Sequence, residues 1–387
     1  MTATATGTGT PSRPDVIVIG GGLHGCSAAL HLSMRGVRVL VLEKDHVARH
    51  ASGVNAGGVR QLGRHVAELP LTVAAMALWH RIGELVDDDC GFESHGQVKV
   101  AETEAELATL HARVAELRAL GFSHEEVVGR DELRSLVPAI ADHCVGALVS
   151  RGDGAAIPFR TTFAFRCKAI ALGARFQEGG AVTRLARRGG LWSVETADGA
   201  RHEAPVVVNC AGAWADRIAA QVGEPVPLEV IAPMLMITAR VPPFIKPVVG
   251  ATGRTLSFKQ FPNGTVLIGG GLLGRAVRDE NRTELDFAQV SVNARTVWDL
   301  FPAMRGATIV RAWAGIEARM PDQIPVIGPS GTEPGLYHAF GFSAHGFQLG
   351  PIVGRITADL ITGGATDLPI AAFRIGRFAG AAGTIAA

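Results

Sequence analysis

The chain lacks an excess of either charge. Its 387 residues carry 37 Lys and Arg against 36 Asp and Glu, a net charge of +1, so nothing in the balance draws a nucleic acid or another polyanion. It also lacks paired cysteines. Cys26, Cys90, Cys144, Cys167 and Cys210 are scattered, with no CxxC pair and no histidine at ligand spacing. That argues against a metal site and fits a reducing, cytoplasmic setting. No apolar run approaches the roughly 20 residues of a membrane span. Residues 1–13 are a Thr/Ala/Gly/Pro tract without the basic and apolar regions of a signal peptide, and read as a disordered leader. The terminal AGAAGTIAA is a similar loose tail. The remaining length is enough for two domains, or one elaborated domain, with a large core.

Glycine is plentiful, at 48 residues, and its placement is informative. Four β-favouring residues, Val16 to Ile19, run into Gly20, Gly22 and Gly25 at GxGxxG spacing. Small and apolar residues follow at helical recurrence (Cys26, Ala29, Leu30, Leu32), then a break at Gly36 and a second apolar run, Val37 to Leu42, that stops at Glu43. This reads as strand, tight turn, helix and parallel strand, the fingerprint of a dinucleotide site. Gly20 permits the sharp turn, Gly22 lets backbone approach a pyrophosphate, and Gly25 allows helix to pack on strand. The helix start offers unpaired N–H groups to the phosphates. Glu43, 18 residues after Gly25, stands where a carboxylate accepts ribose hydroxyls, which argues for FAD or NAD over NADP. A glycine-rich turn in an ordinary βαβ unit is the plainer alternative.

A long polar loop, KDHVARHASGVNAGGVRQLGRH, follows Glu43, and such loops beside a nucleotide turn line sites. Helical recurrence marks Val66 to Val86, with Trp79 as core, and Thr103 to Leu120. From Arg175 the period changes. Short β-type runs alternate with Gly-Gly and Asp-Gly turns through ARFQEGG, AVTRLARRGG and LWSVETADG, predicting a small antiparallel meander that feeds a buried strand, Val206 to Asn209. That strand ends in VVVNCAGAWAD, where Ala211 and Gly212 either approach a cofactor or simply end a packed strand. Pro225 to Pro247 holds six prolines and reads as a crossing between domains. A second GxGxxG at Gly269, Gly271 and Gly274 is rejected, because Arg275, Arg278, Asp279, Glu280 and Arg282 cannot form the small apolar helix it requires. It reads instead as a hairpin strand with Asn263-Gly264 at the turn. One fingerprint implies one dinucleotide. The last third offers strands at Pro325 to Gly328 and Leu336 to Phe340, a Gly/Ser/His turn, and an amphipathic helix from about Gly346 to Ile361. This second anion-binding element makes the cofactor domain discontinuous.

Five stretches in order, VIVIGGGLHG…VLVLE, ASGVNAGGVR, VVVNCAGAWAD, RAWAGIEARMPDQIPVIGP and GFSAHGFQLGP, resemble the D-amino acid oxidase superfamily of FAD-dependent oxidoreductases. Within it they resemble the branch of glycine oxidase, sarcosine oxidase and the flavin subunits of opine and hydroxyproline dehydrogenases. The resemblance implies an α/β fold. A discontinuous FAD-binding Rossmann-type domain of the glutathione-reductase type (14–90, 150–224 and 322–380) would join a mixed-sheet α+β substrate domain (91–149 and 225–321). It implies hydride transfer from the carbon bearing nitrogen to flavin N5, leaving an imine. Gly20, Gly22, Leu23, His24, Gly25, Glu43 and Lys44 would hold the ADP part, the side chains of His24 and Cys26 serving mainly to pack. Ser52, Asn55, Ala56, Gly57 and Gly58 would run along the ribityl chain, with Val182, Ala211, Gly212 and Trp214 also at the cofactor. Gly341, Phe342, Ser343, His345, Gly346, Phe347 and Gln348 would aim N–H groups at the flavin edge that gains charge on reduction.

The departures from the family pattern bear on chemistry. Gly315 aligns with the cysteine that anchors FAD in several sarcosine oxidases, so FAD is expected to be non-covalent. Glu317 and Gln348 replace two familiar cationic anchors for substrate carboxylate. Arg60, Arg64, Lys259 or Arg319 would then take that role, unless Glu317 holds a cationic group. Arg319 reads equally as a surface residue and Lys259 as a solvated strand position. Leu267 replaces the lysine that attracts oxygen in sarcosine oxidases, which favours another redox carrier over O2 as electron acceptor. His345 reads as an acid–base group or as a helix-start histidine bonded to backbone. The expected partner is a small-molecule amine: a secondary or D-amino acid, or an opine-like conjugate. A flavin subunit inactive outside a hetero-oligomer, a homo-oligomer, and a non-catalytic dinucleotide-binding regulator are the alternatives. No metal is expected.

Overall fold

The computed structural model describes residues 13–379, so the expected leader lies outside the described residues except for Arg13. A six-stranded sheet runs in the order Val326–Pro329, Leu336–Phe340, Val206–Asn209, Val16–Ile19 (β1), Val39–Glu43 (β2) and Arg175–Glu178. All neighbours are parallel except the first pair. β1 and β2 are buried along their whole length, which is why both are unbroken apolar runs and not alternating ones.

The helix between them, Leu23–Ser33 (α1), buries ten of its eleven residues. It packs on the helix Pro158–Ala171 and on the C-terminal helix Gly346–Gly363. The approach of the last is set by glycine: a Cβ on Gly350 would strike the Leu23 side chain, and one on Gly354 would strike Ser27.

The second sheet is larger and mixed. Its order is Arg282–Glu284, Leu273–Val277, Glu229–Thr238, Val266–Gly269, Ser257–Gln260, Val248–Ala251, Gln97–Ala101, Gly146–Ser150 and Glu126–Gly129, with Ile309–Ala314 and Glu317–Arg319 pairing further along Glu229–Thr238. The hairpin around Asn263-Gly264 is present, closed by the Gly264 N–H on the Phe261 carbonyl. Each sheet is assembled from separate stretches of chain, and a cavity of about 940 Å³ lies between them. No helix among the described residues is long and apolar enough to cross a membrane.

Three local expectations need correction. Arg175–Glu178 belongs to the parallel sheet, edge to β2, and the antiparallel meander holds only Val182–Arg188, Leu191–Thr196 and Arg201–Ala204. The proline-rich crossing contains the ten-residue strand Glu229–Thr238. Pro233 is tolerated there because the strand changes partners at that point, from Val266–Gly269 to Leu273–Val277. The helix predicted over Val66 to Val86 begins as a 3-10 turn, runs as α-helix over Leu69–Trp79, and breaks before Ile82–Val86.

Because α1 and the C-terminal helix touch through Gly354, Gly354→Leu forces a side chain into a filled contact. We expect a loss of roughly 3 kcal/mol of stability, read as a lower urea midpoint; an unchanged midpoint would contradict this packing.

Candidate active site

The turn from β1 into α1 opens one end of the cavity. Gly20 has a left-handed φ of +107°, and a Cβ there would strike the Cys210 carbonyl. Gly25 admits no side chain against the Gly20 carbonyl, and a Cβ on Gly22 would sit 2.9 Å from Ser52 Oγ. α1 has no side-chain cap and no acidic residue in its first turn, so its positive end is free to face an anion. The Leu23 N–H donates to Ser52 Oγ at 2.9 Å.

Glu43 is fixed by backbone. Its carboxylate accepts from the Gly21 N–H at 2.6 Å and the Asp45 N–H at 2.9 Å. Burial raises its pKa and these N–H groups pull it back down. Each oxygen keeps a lone pair for a sugar hydroxyl. Beside it the Lys44 ammonium lies 3.9 Å from the centre of the Trp214 ring and bonds Asp45 at 2.5 Å and Asn281 at 2.6 Å. Val182 completes this wall. His50, Arg278 and Asn281 also line it and were missed in the sequence, since the last two arrive from the far sheet with no local signature.

The middle of the cavity is lined by Ser52, Asn55, Ala56, Gly57, Gly58, Ala211 and Gly212. Asn55 folds its own loop: its Oδ1 accepts from the Gly57 N–H at 2.8 Å and its Nδ2 donates to the Ala51 carbonyl at 2.9 Å. At the far end the lining comes from Gly341, Phe342, His345, Gly346 and Phe347. Ser343 and Ala344 both have left-handed φ, +52° and +64°, which costs about 1–3 kcal/mol each for non-glycine residues. Three contacts hold them there: the Ser343 N–H on the Ala318 carbonyl, the Met320 N–H on Ser343 Oγ, and the Ala344 N–H on Glu317 Oε1 at 2.8 Å. His24 stacks on Phe342 with centroids 3.6 Å apart. Burial pushes its pKa down to about 3, so it packs as a neutral ring.

Three cofactor candidates stand behind the lining, Gly25 among them, packed on the Gly20 carbonyl. Ser343 turns inward to the Met320 N–H, and Gln348 is fully buried with its amide on the Thr72 carbonyl at 2.9 Å. Two catalytic candidates are also outside it. Arg319 is drawn to the neighbouring strand by a bidentate ion pair with Glu229 at 2.7–2.9 Å. Lys259 is buried behind the Asn55–Gly58 loop, its Nζ 3.2 Å from where a Gly57 Cβ would be. Burial lowers its pKa to about 8.

Arg60, Arg64, Glu317 and His345 do meet at the cavity, joined by Gln97 and Lys99, which share one face of a strand of the second sheet. The Arg64 Nη2 donates to the His345 carbonyl at 3.2 Å. Arg64 and Glu317 therefore grip successive residues of one turn with opposite charge. Burial raises the Glu317 pKa to about 7, against the opposing pull of the Ala344 N–H. Burial, then Arg64 and Arg60, holds His345 far below the usual histidine range. The neutral ring is favoured. Glu68 lies 3.9 Å from its ring, with its own pKa raised by burial.

A glycine cradle, an uncapped helix start, an anchored carboxylate and an aromatic wall over one long cavity suit a dinucleotide bearing a large ring system. The family comparison agrees. The model of a family described as FAD dependent oxidoreductase (DAO) matches residues 15–360, and the chain belongs to that family of flavoenzymes. It is 27% identical to the glycine oxidase of Geobacillus kaustophilus over 379 residues, covering 96% of this chain and 99% of that one. It is 25% identical to the hydrogen cyanide synthase subunit HcnC of Pseudomonas aeruginosa, covering 94% of this chain and 96% of that one. Among solved structures, L-proline dehydrogenase from P. horikoshii superposes with a TM-score of 0.88 at 27% identity, covering 96% of this chain and 99% of that one. The chain is an FAD enzyme of the D-amino acid oxidase type.

Gly22→Val would place two methyls against Ser52 where the pyrophosphate must approach. The purified variant is expected to be colourless but folded, by absorbance and far-UV circular dichroism; a yellow variant would contradict the cradle.

Proposed function

We propose that the enzyme oxidises the C–N bond of a small amine, a secondary or D-configured amino acid or an opine-like conjugate, to an imine that water hydrolyses. The observation that carries this reading is the pair of opposite charges on one turn: the Arg64 guanidinium on His345 and the Glu317 carboxylate on Ala344. A zwitterionic amino acid needs both signs. Arg60 and Arg64 are assigned its carboxylate, and Glu317 the amine. His345, neutral, shapes the wall between them. Bound FAD supplies the acceptor at N5 for the hydride leaving the carbon next to nitrogen. The N–H groups of Ser343, Ala344 and His345 are bonded within the protein, so the flavin edge where negative charge gathers is assigned to the N–H groups at the start of the helix Gly346–Gly363. In this reading 14–90, 150–224 and 322–380 form the cofactor domain and 91–149 and 225–321 the substrate domain.

Gly315 favours non-covalent FAD, because any Cβ there would strike Val54. A redox carrier is preferred to O2 as acceptor, with Leu267 buried in its strand and offering no charge. Four of the five free cysteines are buried, which suits a cytoplasmic enzyme. A second reading has support of its own: the chain as the flavin subunit of a hetero-oligomer. One relative is named as a subunit, and the helix Pro158–Ala171 leaves Phe159 and Ile170 exposed, flanked by exposed Ile157 and Leu172. Turnover by the isolated chain would exclude an obligate partner.

The Glu317 carboxyl is neutral below about pH 7 and charged above it. With a cationic amine, kcat/KM is expected to rise through that pH. Glu317→Gln should flatten the rise and lower kcat/KM roughly 10- to 100-fold, the worth of one charge-assisted hydrogen bond, with FAD still bound. An unchanged profile would remove Glu317 from the site.

A further inference from the structure

Glu68 is a buried acid with no task in amine oxidation as described above. It is fully buried just before the helix Leu69–Trp79, and neither of its carboxylate oxygens has a hydrogen-bond partner. Its Oε2 lies 3.9 Å from His345 Nδ1, which is buried and has no partner either. The His345 ring lines the cavity, so it stands between Glu68 and the chamber. A buried acid without hydrogen bonds is costly. The nearby His65 N–H favours its charged form without meeting the geometry of a hydrogen bond, and a small rotation of the carboxyl brings it onto the His345 ring nitrogen.

The charged groups that act on Glu68 are Arg64, Arg60 and the exposed His65. The two guanidiniums are countered in turn by Glu68 and Asp153, with Glu125 acting on Arg60 as well, and Lys99 and Arg113 are the cations beside Glu125. The three acids are not equally fixed. Asp153 accepts from the Gln61 and Leu62 N–H groups at 2.9–3.0 Å, and Glu125 from Arg113 at 2.6 Å and the Gly63 N–H at 2.7 Å. Glu68 has no such bonds. Burial raises its pKa, and Arg64 is the largest influence against that rise. Arg64 Nη1 has no partner, and a ligand carboxylate placed on this guanidinium offsets its pull on Glu68. The Glu68 pKa then rises further, and Glu68 is the acid that takes up a proton.

We propose that Glu68 is the final acceptor of the proton that the substrate ammonium must lose, and that His345 passes it inward, Nε2 taking the ammonium proton while Nδ1 gives one to Glu68. This rests on the amine-oxidation reading above and adds a step to it. An ammonium nitrogen has no lone pair. Once one proton has moved to Glu68, the freed pair closes the C=N bond as hydride leaves the neighbouring carbon for FAD, and the product is the protonated imine. Arg64 and Arg60 oppose a charged His345 ring, so the ring relays the proton and does not keep it. Glu317 stays charged beside the amine. The substrate carboxylate, by engaging Arg64, readies the acceptor for its own ammonium.

The first readout uses the holoenzyme and methoxyacetate, a carboxylate with an ether oxygen in place of the amine. Binding is followed by the shift in flavin absorbance, and proton uptake by an indicator dye in weakly buffered solution. At about pH 8, uptake of about one proton per flavin is expected in the wild type and in Glu317→Gln, and less than about a fifth of that in Glu68→Gln. The second readout is the rate of anaerobic flavin bleaching by whichever of N-methylglycine, D-alanine and D-proline bleaches the wild type. In Glu68→Gln, with FAD still bound, that rate should fall at least about 10-fold near neutral pH and climb about 10-fold per pH unit as solvent takes over the deprotonation. Failure of methoxyacetate to bind, binding without proton uptake, uptake that Glu68→Gln retains, or a Glu68→Gln profile parallel to the wild type would overturn the inference and leave amine oxidation standing. Bleaching by none of the amines would overturn both.

Discussion

The Gly21 N–H meets the Glu43 carboxylate at 2.6 Å, and that contact ties the end of β2 to the turn between β1 and α1. The architecture of the cofactor end depends on it. Were the turn a residue longer, or Gly20 and Gly25 larger, β2 could not bring an acid beside the helix start. A dinucleotide would then lose both its pyrophosphate seat and its ribose acceptor. The same crowding continues outward. Gly25 lets α1 lie on β1, Gly350 and Gly354 let the C-terminal helix lie on α1, and that helix begins at the turn lining the other end of the cavity. One close-packed line therefore runs from the turn after β1 to the opposite end of the cavity.

Charge is distributed along that line in a way that separates tasks. The first turn of α1 carries no acid of its own, the wall beside Glu43 holds Lys44, Asp45, His50 and Asn281 bonded among themselves, and Arg60, Arg64 and Lys99 line the other end of the cavity. The strained pair Ser343 and Ala344 sits between, over-determined by bonds from Ala318, Met320 and Glu317. Glu317 thus has two duties. It anchors the turn with Oε1 and lines the cavity, where burial raises its pKa to about 7.

Much of the cofactor end was legible in the sequence because each of its parts has a local signature: an apolar run, glycines at fixed spacing, a terminal acid. The rejected second GxGxxG was legible for the same reason, since the charged residues after Gly274 declare a hairpin. What could not be read is what depends on pairing between distant segments. Arg175–Glu178 looks like its meander neighbours and is claimed by β2 through register alone. Glu229–Thr238 is a strand despite its proline because of a change of partner. Arg319 looked available until Glu229, on the adjacent strand, took it. Lys99 and Gln97 gave no signal at all, because alternation along an ordinary strand does not say what the sheet faces.

The central claim is that this seat recognises the adenosine half of the cofactor as well as its flavin. It is tested most directly by stripping the flavin from the purified protein and titrating back FAD or FMN, with quenching of flavin fluorescence as the readout. FAD should rebind stoichiometrically and tightly, while FMN, which offers nothing to Glu43 or Trp214, should bind at least about 100-fold more weakly. Equal affinity for the two would contradict the account from Gly20 onward.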